Sequence, residues 1–202
     1  MSSKNLIRRV AAIASIVAFG ATLAACTNDP VADQYLSGDN KGYISGEFQV
    51  QEIAPDDRGE PVEWSGTTEH GNELSSESTA GKVTVVNFWY AGCAPCRTEA
   101  PHLEKSWQEH QDGNVQFVGV NVEDEAATAK SFADEFDITY PSLIDGKNGD
   151  AKLAFAAATP LQATPITLIL DREGRVAARI ISAIDSPSVL NTLIDDVLKE
   201  AA

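Results

Sequence analysis

The chain reads as an α/β protein, and three observations carry that reading. From Gly81 onward, apolar runs of strand length alternate with segments of helical period, the order that gives a sheet with some parallel pairing. Within the first of these runs, Val83, Val85, Val86 and Phe88 read as a buried strand. The last segment repeats Val189, Leu190, Leu193, Ile194, Val197 and Leu198 at a helical period. Ser186 stands before it as cap and Pro187 at its first helical position.

Residues 1–25 are expected to lie outside that fold. Lys4, Arg8 and Arg9 make a basic start, and residues 10–23 form an apolar run too short for a membrane span. This is the anatomy of a secretory leader. Its Leu23-Ala24-Ala25-Cys26 ending resembles a bacterial lipobox, in which the Cys becomes the lipidated first residue of the mature chain. An ordinary cleaved leader with a chance cysteine is the plainer alternative. Lipidation of Cys26 explains an odd cysteine in an exported chain and leaves Cys93 and Cys96 as a pair. The location implied is extracytoplasmic, on the outer face of the cell membrane.

The formal charge is −15, and losing three cations and no acid with the leader takes it to −18. That balance argues against a nucleic-acid partner, which needs a basic face. Attachment to a membrane then rests on the lipid and not on basic patches. Residues 26–45 are polar and without period, with Asn28, Pro30, Gly38, Asn40 and Gly42, and read as a flexible tether. The folded domain is expected over residues 46–202.

Residues 48–53 alternate apolar and polar, a half-buried strand. Residues 56–61 read as a turn. Two short strands around His70-Gly71-Asn72 are read as an added sheet edge packed before the core. The core series follows: a strand at 83–89, a helix at 95–110 with Leu103 and Trp107 on one face, and a strand at 115–122. A helix at 125–136 turns Ala129, Phe132 and Phe136 one way, and an extended piece at 140–144 is demoted towards an edge by Pro141. An alanine-rich helix at 151–158 precedes Thr164-Pro165, a strand at 166–170, a turn at 171–174 and a strand at 176–181.

The chemistry centres on Trp89-Tyr90-Ala91-Gly92-Cys93-Ala94-Pro95-Cys96. Cys93 falls at a strand-to-helix junction and Cys96 about one turn into the helix. A helix N-terminus favours negative charge, so a cysteine there loses its proton more easily, and the thiolate is the nucleophile of disulfide exchange. A second cysteine on the next turn is near enough to attack the first. Pro95 suits the first turn, where its missing N–H is harmless. A structural zinc site needs four ligands, and Cys26, His70, His102 and His110 do not supply a second pair. Haem attachment needs His after the second Cys, where Arg97 stands. An inert structural disulfide closes too short a loop to gain much.

Phe88-Trp89 before the Cys pair, with Thr164-Pro165 before a strand and hairpin, resembles the thioredoxin superfamily. Adding Gly81-Lys82, Asn87, Glu99-Ala100-Pro101 and Tyr140-Pro141-Ser142-Leu143, the chain resembles its TlpA/ResA branch of exported thiol–disulfide oxidoreductases. The resemblance implies a thioredoxin-like fold, a central mixed sheet flanked by helices, here with an N-terminal β extension. It also implies an exposed attacking thiol at Cys93, a buried resolving thiol at Cys96, and a cis Thr164–Pro165 bond beside them. Glu99 matches an acid thought to help proton movement, its plainer role being a solvated helix carboxylate. Trp89, Ala94, Pro95 and Thr164 match the substrate-facing surround. Two departures stand out: Asn87 replaces the buried Asp of thioredoxin itself, and Gly92 replaces a Trp that many relatives carry.

By resemblance the activity is dithiol–disulfide exchange on thiols or disulfides of exported proteins. It runs as a reductant, for example in cytochrome c maturation, with electrons from a membrane thiol–disulfide donor and with no cofactor and no metal. An oxidase of secreted proteins is the alternative direction. A peroxidase on a related fold fits less well, since Tyr90 stands where that chemistry has Thr. A lipid-anchored Cu(I)-binding module would use Cys93 and Cys96 as soft ligands, but Met1 is the only methionine.

Overall fold

A computed structural model describes residues 50–161 and 163–200. Cys26, the leader, the tether and the first residues of the 48–53 strand lie outside the described residues. Among the described residues, strands β1 (Val50–Glu52), β2 (Ser65–Thr67), β3 (Glu73–Ser75), β4 (Val83–Trp89), β5 (Val115–Asn121), β6 (Ser142–Ile144), β7 (Ile166–Leu170) and β8 (Val176–Ile180) alternate with four α-helices. These are α1 (Ala94–His110), α2 (Ala126–Phe136), α3 (Asp150–Ala158) and α4 (Pro187–Lys199).

Six strands form one mixed sheet in the order β1-β8-β7-β4-β5-β6. β4, β5 and β6 run parallel, while β7, β8 and β1 pair antiparallel in turn. β4 lies at the centre and every one of its residues is buried, as a strand covered on both faces requires. Its side chains divide at period two. Val83 and Val85 join Leu103, Phe117, Leu190 and Ile194 under α1 and α4. Val86 and Phe88 join Val120, Leu143, Phe155 and Leu168 under α3. Each such large apolar side chain contributes about 1.5–3 kcal/mol of burial. Asn87 and Trp89 therefore face α1, and this decides the site.

The hairpin β2–β3 is not an edge of the main sheet. It forms its own two-stranded sheet, joined to β6 by the Thr68–Leu143 bridge and by Glu69, whose amide donates to the Ser142 carbonyl at 3.0 Å and whose carboxylate accepts from the Ser142 amide at 2.9 Å. The two edges are β6, where Pro141 places it, and β1, where Val50 finds apolar neighbours beside β8 while Gln51 and Glu52 face solvent. On α4, Val189 is 47% exposed. At about 100° per residue it sits at one margin of the stripe centred between Leu193 and Leu190, with half-buried Leu198 at the other.

The registers gather the loops. Phe88 pairs with Val120 on one side and Ile166 on the other, and Thr167 pairs with Ile180. Residues 90–93, 122–125, 163–165 and 181–184 thus leave the sheet at one pole.

Candidate active site

The pair stands where the sequence puts it. β4 ends at Trp89 and α1 begins at Ala94, with Cys93 as its N-cap and Pro95 in the first turn. Cys93 and Cys96 are joined by a disulfide, with Cα atoms 5.2 Å apart. The Cys96 amide donates to Cys93 Sγ at 3.2 Å, so the sulfur takes the place an N-cap oxygen usually has. An unpaired helix amide aimed at this sulfur favours its thiolate when the bond opens.

Cys93 is only 3% exposed, and this corrects the expectation of an exposed thiol. Its side chain packs in a cluster with Trp89, Cys96, Ala129 and Phe132, while the sulfur turns inward onto the Cys96 amide. Cys96 is 2% exposed, as the resemblance implies. Trp89 is also corrected. It is buried, its indole donates to Ser142 Oγ at 3.3 Å, and its ring stacks on Phe132 with centroids 4.3 Å apart. In this state it builds the floor of the site and offers nothing to a docking chain. Ala94 and Pro95 are exposed, and Thr164 is half-buried. The Thr164–Pro165 bond is cis, and Pro165 is buried one step beyond the Phe88–Ile166 pair, at the end of β4 that leads to the cysteines.

Glu99 is fully buried, which removes the solvated alternative. One carboxylate oxygen accepts from Asn87 Nδ2 at 2.8 Å and the other from the Ile184 amide at 3.0 Å. Burial pushes its pKa up to about 7, against the pull of those two hydrogen bonds. Asn87 gives its other proton to Thr167 Oγ1 at 3.1 Å. Burial, with Glu99 and Glu104 adding negative charge, drives the Tyr140 hydroxyl well above its ordinary value. A cavity of ≈ 10 Å³, room for one water, opens beside Cys96 and is lined also by Asn87, Trp89, Tyr140 and Ser142.

The sequence reading missed Asp124, Thr167 and Ile184. Asp124 follows Asn121 at the spacing of an Asx turn after a strand, a signal that was available. Thr167 and the Ile184 amide act from across the sheet and carry no local signature.

The geometry joins a helix-capping disulfide, a buried titratable acid on the same helix and a cis proline, and the comparisons agree with it. The Redoxin family model matches residues 49–194. The chain belongs to the Redoxin family. Within the thioredoxin superfamily this redoxin falls in the TlpA/ResA-like branch. It is 32% identical over 130 residues to the thioredoxin-like protein YneN of Bacillus subtilis, covering 63% of this chain and 72% of that one. It is 27% identical over 106 residues to the thiol-disulfide oxidoreductase ResA of Halalkalibacterium halodurans, 52% of this chain and 57% of that protein's length. Among solved structures it matches a DsbF homologue from Corynebacterium diphtheriae with a TM-score of 0.63 and 25% identity, over 79% of this chain and 99% of that one. Family, fold and the Cys93–Cys96 pair make the matched domain of this redoxin a thiol–disulfide oxidoreductase.

Proposed function

We propose that this redoxin reduces disulfides of exported proteins from the outer face of the cell membrane. Residues 1–25 act as a leader, a lipid on Cys26 ties the chain down, and residues 26–45 space the 46–202 domain from the surface. The leader's basic start, its apolar run and its Leu-Ala-Ala-Cys ending support this placement.

The observation that carries the chemistry is the Cys93 sulfur seated on the Cys96 amide at the mouth of α1, with Glu99 one turn further along the helix. With the pair reduced, the Cys93 thiolate attacks one sulfur of a substrate disulfide. That bond breaks, and the other substrate sulfur leaves as a thiolate and takes up a proton. Cys96 gives its proton to Glu99, and its thiolate attacks Cys93 Sγ and breaks the mixed disulfide, so that the second substrate sulfur leaves as a thiolate and takes up the proton that Glu99 gives back. The substrate departs with two more electrons and two more protons, and the closed Cys93–Cys96 bond is the product state. A membrane thiol–disulfide donor then returns two electrons and two protons. Glu99 suits the proton step because an acid held near neutrality serves best there, and its partner Asn87 lines the cavity at Cys96. Exposed Ala94 and Pro95 and the Thr164 backbone form the rim that a substrate strand meets.

Cys96→Ser tests the reading. The variant should accumulate covalent mixed disulfides through Cys93 with exported proteins. A variant that stays free on non-reducing gels counts against the exchange. Equilibrium with glutathione decides direction: a reductant's pair falls near that of thioredoxin, about −270 mV, and an oxidant's near that of DsbA, about −120 mV.

A further inference from the structure

The loop that carries Cys93 is held from outside its own helix. Ala91, two residues before Cys93, donates its amide to Asp124 Oδ2 at 2.7 Å. The same oxygen accepts from Asn121 Nδ2 at 2.8 Å. Asn121 is the last residue of β5 and is fully buried. Its Oδ1 accepts from the amides of Glu123 at 3.2 Å and Asp124 at 2.7 Å. Asp124 therefore stands on a turn that the end of the neighbouring strand fixes. The Val122 amide adds a bond to the Trp89 carbonyl at 3.0 Å, so β5 and its turn grip both ends of the Trp89–Ala91 stretch.

Exchange between the two cysteines makes no use of Asp124, and the β5 turn is closed by Asn121 Oδ1 on the Glu123 and Asp124 amides. The carboxylate holds Asn121 Nδ2 and, across to the next loop, the Ala91 amide, and a bond from an amide to a carboxylate is about twice as strong as a neutral one. Without it, the half-buried Tyr90 and Ala91 and the exposed Gly92 keep the Cys93-to-Tyr90 turn bond at 3.1 Å and a long reach from Arg97 Nη1 to the Ala91 carbonyl at 3.5 Å. Arg97 is already engaged elsewhere, paired with Glu135 and stacked over Phe136 at 4.9 Å. The alignment of Cys93 Sγ with the Cys96 amide depends on this loop, and hydrogen bonds weaken steeply off line.

We propose that Asp124 is a positioning residue of the redox centre: through the Ala91 amide it fixes residues 90–93, and with them the Cys93 sulfur, against the N-terminus of α1. This role rests on the thiol–disulfide reading above. The other charged groups around the loop are Arg97 and Glu135, which pair with each other, Glu125, which pairs with Lys147, and exposed Glu123.

Asp124→Ala and Asp124→Asn in the whole chain test it, read by the equilibrium constant against glutathione, the pH profile of Cys93 alkylation and urea unfolding. Asp124→Ala should change the equilibrium constant about threefold or more, because the Cys96 amide then meets the Cys93 sulfur off line and favours its thiolate less, and should displace the alkylation profile. Asp124→Asn keeps an oxygen for the Ala91 amide and should recover most of both. A folded Asp124→Ala with wild-type values overturns the role. Equal disturbance by Asn and Ala also overturns it, since charge and not the bond would then be at work. If Asp124→Ala does not fold, Asn and the wild-type Ala91 amide decide: slow hydrogen exchange at Ala91 in both redox states supports the role, and fast exchange overturns it. A wild-type chain inert towards glutathione removes the activity itself, a result distinct from an active chain indifferent to Asp124.

Discussion

Asn87 donates to Glu99 across 2.8 Å, and neither side chain reaches solvent. The bond ties the central strand to the helix that bears both cysteines. Asn87 extends it to Thr167 on β7, and Glu99 extends it to the Ile184 amide after β8. A single carboxylate thus joins four elements around the redox pair, and its protonation state is felt by all of them.

Burial holds Glu99 at about 7, against 4.5 in its ordinary state, so between those values the folded chain keeps a proton that the unfolded chain has released. Its contribution to stability is full below about pH 4.5 and is lost as pH rises through about 7, on the order of 3 kcal/mol. Glu99→Gln is neutral throughout and should flatten that slope in urea unfolding followed across the same range. The rate of mixed-disulfide resolution should also lose its inflection near neutrality. Identical slopes in the two proteins would refute the assignment.

Asn87 sets where that inflection falls. Its hydrogen bond is the larger of the two that pull the Glu99 pKa down. Asn87→Ala should therefore move the inflection above 7 and destabilise the domain by roughly 1–3 kcal/mol, since it strands a buried oxygen. Asn87→Asp places a second carboxylate beside the first, and the two should titrate as a coupled pair. A pH–rate profile unchanged in both variants would remove Asn87 from the proton step.

The spacing of Cys96, Ala100, Leu103 and Trp107 marks the inner face of α1, and Glu99, four residues before Leu103, lies on that face. Its burial is legible in this sense. Its partners are not, because Thr167 lies 80 residues from Asn87 and Ile184 lies 85 from Glu99, and a backbone amide carries no residue type. The strands at 83–89 and 115–121 are legible because their apolar content survives burial on either face. The hairpin at 65–75 is legible as two short strands around a turn but its place is not, because Ser, Gly, Thr and Glu give its strands no face to read. The covered Cys93 sulfur depends on Phe132 and Ala129 arriving from α2, a tertiary fact.

Gly119 makes the floor of the site possible. A Cβ there would lie 2.1 Å from Ser142 Oγ and 2.8 Å from Trp89 Nε1. Gly119→Ala should push these partners apart, destabilise by roughly 1–3 kcal/mol and disturb the near-ultraviolet signal of Trp89 stacked on Phe132. Adding Ser142→Gly should recover part of the loss. Gly92→Ala is the control, since its Cβ would meet only the Tyr90 ring at 3.4 Å. Equal losses at the two positions would mean that crowding is not what Gly119 avoids.

Arg58 anchors the far pole. Its side chain is 3% exposed and donates to Asp171 at 3.0 Å, to both oxygens of Glu200 at 2.6 Å and to the Ile53 carbonyl at 3.0 Å. It ties the stretch after β1 to the β7–β8 turn and to the end of α4. Arg58→Ala would leave buried Asp171 with Arg175 as its remaining cation, and should cost roughly 2–4 kcal/mol. Arg58→Lys cannot reproduce the forked geometry and should recover little. Because the group is enclosed, the loss should persist at about 1 M salt, where exposed pairs are screened. The exposed Lys147–Glu125 pair offers the contrast, and its removal should cost well under about 1 kcal/mol. Urea unfolding of the three variants at low and high salt makes the comparison. A loss at Arg58 that vanishes with salt would show the cluster to be a surface ornament and not a clasp.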